Sequence, residues 1–260
     1  MKLCTLSSGS KGNCLYVESG SGALLIDQGL ALRELERRAA SIGLNLNKVR
    51  GIAVTHEHSD HIKGVEAFCN KYGVKAFISP VSAAAAGANM KVRSVIETSS
   101  FDLGCVIADM KVSPFRLPHD AAYTVGYEIT DGKTTLCSAT DLGFVSEATG
   151  KRLARADAVV LESNHDLAML RSGRYPPALK ARIESNTGHL SNDRAAEVAC
   201  KLVTMGVRRI ILAHLSQDNN RPDIAYNATV GAMTASHIVQ GRDAVVDVAH
   251  QFEPSLLTEI

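Results

Sequence analysis

Thr55-His56-Glu57-His58-Ser59-Asp60-His61-Ile62-Lys63-Gly64 is the stretch on which the reading of this chain turns. Three imidazoles and two carboxylates fall between His56 and His61. These are the side chains that a borderline divalent metal takes as ligands. His56 and His58 are two apart, so on an extended segment they face the same side. Asp60 and His61 are adjacent and diverge. Two metals follow as the economical reading, one on His56 and His58, the other on Asp60 and His61. The helical zinc-protease signature, with two His four apart, is not present.

The residues around the stretch set it at a strand-to-helix junction. Gly51 to Thr55 is a short apolar run that stops in polar groups, and Ile62 to Phe68 opens a helical pattern. Further candidates share that context. Asp27 follows Leu24-Leu25-Ile26, His119 follows a strand ending near Arg116, Asp141 follows Leu136 to Thr140, and His214 ends Ile210 to Ala213. We expect His56, His58 and His119 to hold the first metal and Asp60, His61 and His214 the second. Asp141 bridges, because a carboxylate has two oxygens and neutralises charge between cations. Such pairs typically sit ~3.5–4 Å apart and share a hydroxide that is nucleophilic at neutral pH. Asp60, facing that water, accepts its proton. Asp27 is expected to accept a ligand imidazole N–H, or else to cap the following helix.

Composition narrows the classes. The chain has 260 residues, 45% hydrophobic and 21% charged, which suits a single domain spanning 1–260 with a large core. The net charge of +1 excludes a generally basic nucleic-acid binder but not a local patch. Six cysteines without a C-x-x-C pair read as buried thiols of a reducing compartment. With no secretory pattern at the start and no run of membrane-spanning length, a cytoplasmic protein with no membrane partner is expected.

Strands are expected at 3–6, 14–17, 23–26, 74–79, 94–97, 105–107, 110–116, 123–130 and 133–139, the last two joined by an Asp131-Gly132 turn. Helices are expected at about 30–41 and over the Ala-rich stretch before Gly87. Helices 147–155, 192–205 and 222–236 precede strands 158–161, 209–213 and 243–248. The alternation predicts an α+β fold in which two sheets pack together under outer helices.

The motif His56-x-His58-x-Asp60-His61 resembles the signature of the metallo-β-lactamase fold superfamily. That resemblance implies a four-layer αββα sandwich with a dinuclear site at the sheet edges. Thr187-Gly188-His189-Leu190-Ser191 and His214-Leu215-Ser216 are similar to the ribonuclease Z and PhnP-type phosphodiesterases. Ser8 to Asn13, Leu161 to Asp166, Gly173 to Pro176 and His214 to Asn220 resemble the YycJ (WalJ) group more specifically. The resemblance implies a phosphodiesterase, in this group a 5′-to-3′ exonuclease acting on DNA. Neither a β-CASP insert nor the long arm of ribonuclease Z is evident.

By analogy with ribonuclease Z, His189 steadies the phosphate or protonates the leaving oxygen. His165 is a candidate substrate contact, with a structural role equally open. The stretch Arg171 to Arg182 has four basic residues and no acid. It offers a polyanion Arg174 and a stacking Tyr175. The loop ending at Asn13 offers backbone N–H groups to a phosphate. Zn2+ suits the His-rich site, and the carboxylates also admit Mn2+ or Fe2+. Two other functions stay open: hydrolysis of small phosphodiesters or (thio)esters, and a non-catalytic metal-binding regulatory role.

Overall fold

Apolar residues on both faces of its strands make this chain a sandwich. In a computed structural model, which describes residues 1–87 and 101–260, two sheets stack face to face. One is built from β1 (Lys2–Ser7), β2 (Cys14–Glu18), β3 (Ala23–Ile26), β4 (Val49–Ala53), β5 (Lys75–Phe77) and β13 (Thr258–Glu259), in the order β13-β1-β2-β3-β4-β5. The other holds β6 (Cys105–Ile107), β7 (Met110–Arg116), β8 (Val125–Thr130), β9 (Thr135–Ala139), β10 (Ala158–Glu162), β11 (Arg209–Ala213) and β12 (Val245–Val248), in the order β12-β11-β10-β9-β8-β7-β6. The expected strand at 94–97 lies outside the described residues.

The period of two along each strand divides the core into three layers. Leu24 and Ile26 face Val160, Ala158, Ile211 and Ala213 between the sheets. Their neighbours Ala23 and Leu25 face outward and pack with Leu35, Ala39 and Phe68 of α1 (Leu32–Ser41) and α3 (Val65–Tyr72). Val159, Leu161, Ile210 and Leu212 face the other way, against Leu153, Ala195, Ala199, Leu202 and Met233. Those belong to α5 (Glu147–Leu153), α8 (Asn192–Thr204) and α9 (Pro222–Ala235). The fold is an αββα sandwich of class α+β. Among the described residues, no helix is long and apolar enough to cross a membrane. All six cysteines are free thiols, five of them buried.

Strand direction positions the site. β3 and β4 pair in parallel, as do β9, β10 and β11. β7 and β9 are both antiparallel to β8, so β7 runs with β9. The carboxyl ends of these strands therefore open at a common edge.

Three expectations need correction. The helical pattern after Ile62 is two helices, α2 (Ser59–Ile62) and α3, broken at Gly64. A Cβ on Gly64 would stand 2.0 Å from the Leu30 carbonyl, so only glycine lets these segments touch. The Asp131-Gly132 turn is a four-residue loop rather than a tight hairpin. Asp131 Oδ1 accepts the N–H groups of Lys133 (2.9 Å) and Thr134 (2.8 Å), a side-chain mimic of a turn. The strand expected from 123 starts at Val125.

Tyr127, fully buried on β8, donates its hydroxyl to the Val54 carbonyl at 2.6 Å. That bond ties one sheet to the end of β4, just before the ligand stretch. Tyr127→Phe leaves a buried carbonyl without that donor and should lower unfolding free energy by about 1–3 kcal/mol, measured by urea denaturation.

Candidate metal centre and catalytic dyad

Each functional side chain sits where a strand stops. Asp27 follows β3, His56 follows β4, His119 follows β7, Asp141 follows β9, Glu162 ends β10 and His214 follows β11. Asp27, Asp141 and His214 have φ of 59°, 62° and 57°. For a non-glycine residue this left-handed backbone costs on the order of 1–2 kcal/mol. It turns the chain sharply so that the side chain points across the edge instead of continuing the sheet.

The structure brings the His56–His61 stretch together with the distant candidates. His56, His58 and His119 offer ring nitrogens that lie within 4.8 Å of one another, as do the donor atoms of Asp60, His61 and His214. Asp141 stands between the two groups. Its Oδ2 is 3.4 Å from His61 Nε2 and its Oδ1 is 3.8 Å from His119 Nε2.

Hydrogen bonds on the Nδ1 side orient the rings. His61 Nδ1 donates to Asp27 Oδ2 at 2.8 Å, His119 Nδ1 to the Gly188 carbonyl at 3.2 Å and His214 Nδ1 to Glu162 Oε1 at 2.8 Å. Thr55 Oγ1 donates to Asp27 and lies 3.0 Å from His56 Nδ1. Each imidazole is thereby left with Nε2 for the centre, the arrangement that partners of metal-bound His impose. Asp27 does not cap α1, whose N-cap is Ala31 with no side-chain bond.

The donors also fit metals by what they lack. His56 Nε2, His214 Nε2 and Asp141 Oδ2 are buried and find no hydrogen-bond partner among the described residues. Each such group costs about 1–3 kcal/mol if left unsatisfied, more if charged. Three pointing into one space call for cations. Protonation follows the same geometry. Burial, with the neighbouring imidazoles, holds His56 well below the usual histidine range. At His214 burial is outweighed by the Asp141, Asp60 and Glu162 carboxylates, which push it up to about 10. At His61 burial is likewise outweighed, by Asp27, Asp141 and Asp60, and it is raised.

Glu162 is the residue that the sequence analysis missed. It is fully buried, and Oε1 accepts from both His214 Nδ1 and His189 Nδ1 at 2.8 Å. Oε2 accepts the N–H groups of Leu142 and Leu190, each at 3.0 Å. The available signal was the same one used for Asp141: a polar side chain ending an apolar run. His189 stands 3.9 Å from Asp141 Oδ1, its ring 5.1 Å from that of His119 and 5.3 Å from that of His214. Burial opposes the Glu162 charge there, and the charge wins, so the His189 pKa is raised.

The flanking candidates fare differently. Asn13 does not present itself to a ligand. Gly9 N–H fixes its amide oxygen at 2.7 Å, and its NH2 faces His61 Nε2 at 3.0 Å and Asp60 Oδ2 at 3.2 Å. The loop N–H groups of Ser8, Gly9, Lys11, Gly12 and Asn13 are all taken internally, so they make no phosphate nest. The basic stretch also meets acids outside it: Arg171 pairs with Glu184, two residues past its end, and Arg182 with the distant Asp120. Tyr175 lines the cleft beside His189 and His214 but donates its hydroxyl to Asp218 at 2.7 Å. Arg174 is exposed and does not line that cleft. His165 is buried and lines a separate cavity, of which His189 is also a wall.

Cation uptake should displace protons from His214 and His61. Calorimetry of metal binding near pH 8 in buffers of different ionisation enthalpy is expected to show release of at least one proton per chain. A binding heat independent of the buffer would contradict this protonation scheme.

Comparisons with known proteins agree with the geometry. Residues 23–215 match the family model described as the beta-lactamase superfamily domain. The chain is 36% identical to the exodeoxyribonuclease YycJ of Bacillus anthracis, over 98% of this chain and 96% of that protein. It is 33% identical to the exodeoxyribonuclease WalJ of Streptococcus pneumoniae, over 100% and 98%. The solved metallo-beta-lactamase fold protein YhfI from Bacillus subtilis superposes with a TM-score of 0.70 over 98% of each chain at 13% identity, a likeness of fold alone. The chain therefore belongs to the metallo-β-lactamase fold superfamily, in the group of the YycJ and WalJ proteins.

Proposed function

We propose that this protein is a dinuclear-metal-dependent phosphodiesterase that degrades DNA from an end. The observation that carries the reading is the convergence of two ligand groups, with Asp141 between them, on the same edge as the Glu162–His189 pair. His56, His58 and His119 would hold one cation, Asp60, His61 and His214 the other, with Asp141 shared. The imidazole-rich donor set favours Zn2+, and the carboxylates are compatible with Mn2+ or Fe2+. When bound, the cations would neutralise the phosphodiester and lower the pKa of a water at the centre.

The chain's own groups supply the rest. Asp60 faces the centre with a carboxyl held well below the usual range: burial would raise it, but His61 and His214 dominate. Its free oxygen can take a proton from an attacking water. His189 holds its proton at Nδ1 against Glu162, and its Nε2 edge remains for the leaving oxygen. Glu162 raises the His189 pKa above the ordinary histidine value, which favours the protonated state an acid needs.

A polymer substrate has somewhere to go. Ser216 lines both the cleft bounded by Ser10, Tyr175, His189 and His214 and a neighbouring cavity of about 680 Å3 lined by Ser8, Gln217, His250 and Phe252. A small ester would leave that space unused, and an exposed Phe252 offers a base a stacking face. The name of the relatives, exodeoxyribonuclease, supports DNA as the nucleic acid. Six thiols without a disulfide support a cytoplasmic setting.

His189→Ala should slow cleavage of DNA by about 10²–10⁴-fold. It should slow bis(p-nitrophenyl) phosphate far less, because that leaving group departs without protonation. Equal losses on both substrates would contradict the acid role. Glu162→Gln removes the charge that raises His189. In metal-saturated enzyme the high-pH limb of the DNA rate profile should then shift to lower pH, since the protonated imidazole is lost earlier as pH rises. An unshifted limb would argue against the pair.

A further inference from the structure

His165 is buried to 1% exposure, yet neither ring nitrogen has a hydrogen-bond partner among the described residues. Its backbone is fixed, because its carbonyl accepts Asn192 N–H at 2.9 Å at the start of α8. The ring lines a cavity of about 140 Å3 together with Arg171, Glu184, His189, Ser191 and Arg194. A buried imidazole with two idle nitrogens is a costly feature unless a ligand visits it.

The chemistry of the lining selects the ligand. The thirteen-residue helix α8 opens onto the cavity at its N-cap, Ser191, so its positive end faces in. Arg171 and Arg194 both line it, and Arg194 also donates from its guanidinium to the Gly143 carbonyl at 3.2 Å. Glu184 already places a carboxylate there, gripped by Arg171 at 3.2 and 3.3 Å. Asp193 is the other acid on the wall, and it is exposed. An internal carboxylate thus occupies the Arg171 guanidinium, a fork that binds phosphate in the same bidentate way.

Resting on the phosphodiesterase reading above, we infer that this cavity is a subsite for a terminal phosphate monoester of the nucleic-acid substrate. The ligand displaces Glu184 from Arg171. His189 lines both this cavity and the catalytic cleft. A terminal phosphate here and a scissile diester at the metal centre would therefore share the His189 imidazole as a common wall. A cavity of about 140 Å3 has room for a phosphate group.

The test uses metal-loaded enzyme and blunt duplexes whose 5′ or 3′ ends carry phosphate or hydroxyl. The readout is the ratio of kcat/KM for the phosphate and hydroxyl ends. Because both substrates are measured on the same protein, the ratio is independent of the folded fraction. Wild type should prefer one kind of phosphate end by at least tenfold. Arg171→Gln and His165→Phe should bring the ratio below twofold, and Glu184→Gln should raise it by freeing Arg171. Equal rates on both ends in wild type, or an undiminished ratio in Arg171→Gln and His165→Phe, would overturn the subsite and leave the phosphodiesterase reading standing. Wild-type protein that degrades no duplex would overturn that reading and the subsite with it.

Discussion

A buried imidazole or carboxylate has to meet a partner, and the rest of this structure depends on how that requirement is met. Strands that run in one direction end at the edge where the two sheets part. There they deliver His56, His58, Asp60, His61, His119, Asp141, Glu162, His189 and His214 into one small volume. The protein partners lie on the outer side of the rings, at Asp27, Glu162 and the Gly188 carbonyl. The inner side keeps Nε2 and carboxylate oxygens facing each other. Divalent cations answer that inner side, and in their place the carboxylates draw protons onto His61 and His214, so the sandwich is a rigid frame around a charge arrangement that calls for positive charge.

The frame is kept rigid by close backbone contact as much as by apolar burial. A Cβ on Gly29 would lie 1.6 Å from the Asp60 carbonyl oxygen, and Asn13 N–H donates to that same oxygen at 2.8 Å. The ligand loop is thus clamped by main chain from the first sheet. His214 N–H donates to Ser8 Oγ at 2.7 Å, which couples the last ligand to the same N-terminal loop. Such support holds ligands to the tolerance that chemistry needs. It also explains why three residues at the site tolerate left-handed backbone.

Much of this was legible in the sequence. The period of two hidden inside fully apolar runs gave β3, β10 and β11, and the helical spacing gave α1, α8 and α9. The rule that a metal-competent side chain follows an apolar run found His119, Asp141 and His214. The same rule applies to Glu162, which ends the apolar run Ala158 to Leu161. Illegible features were those set by tertiary pairing. Asn13 looks like a loop residue open to ligand, but the fold turns its amide onto Asp60. Arg171 and Arg182 look like a free basic track, but the chain folds back to set Glu184, just past the track, against Arg171, and Asp120 arrives from a distant loop against Arg182. His165 could be read from the sequence only as a substrate contact or a structural residue, since what distinguishes it is a lack of partners in three dimensions.

Anomalous diffraction from crystals of the metal-loaded protein tests the central claim most directly. The account predicts two peaks per chain, about 3.5–4 Å apart, one among His56, His58 and His119 and the other among Asp60, His61 and His214, with Asp141 touching both. A single peak, or density bound away from these side chains, would contradict it.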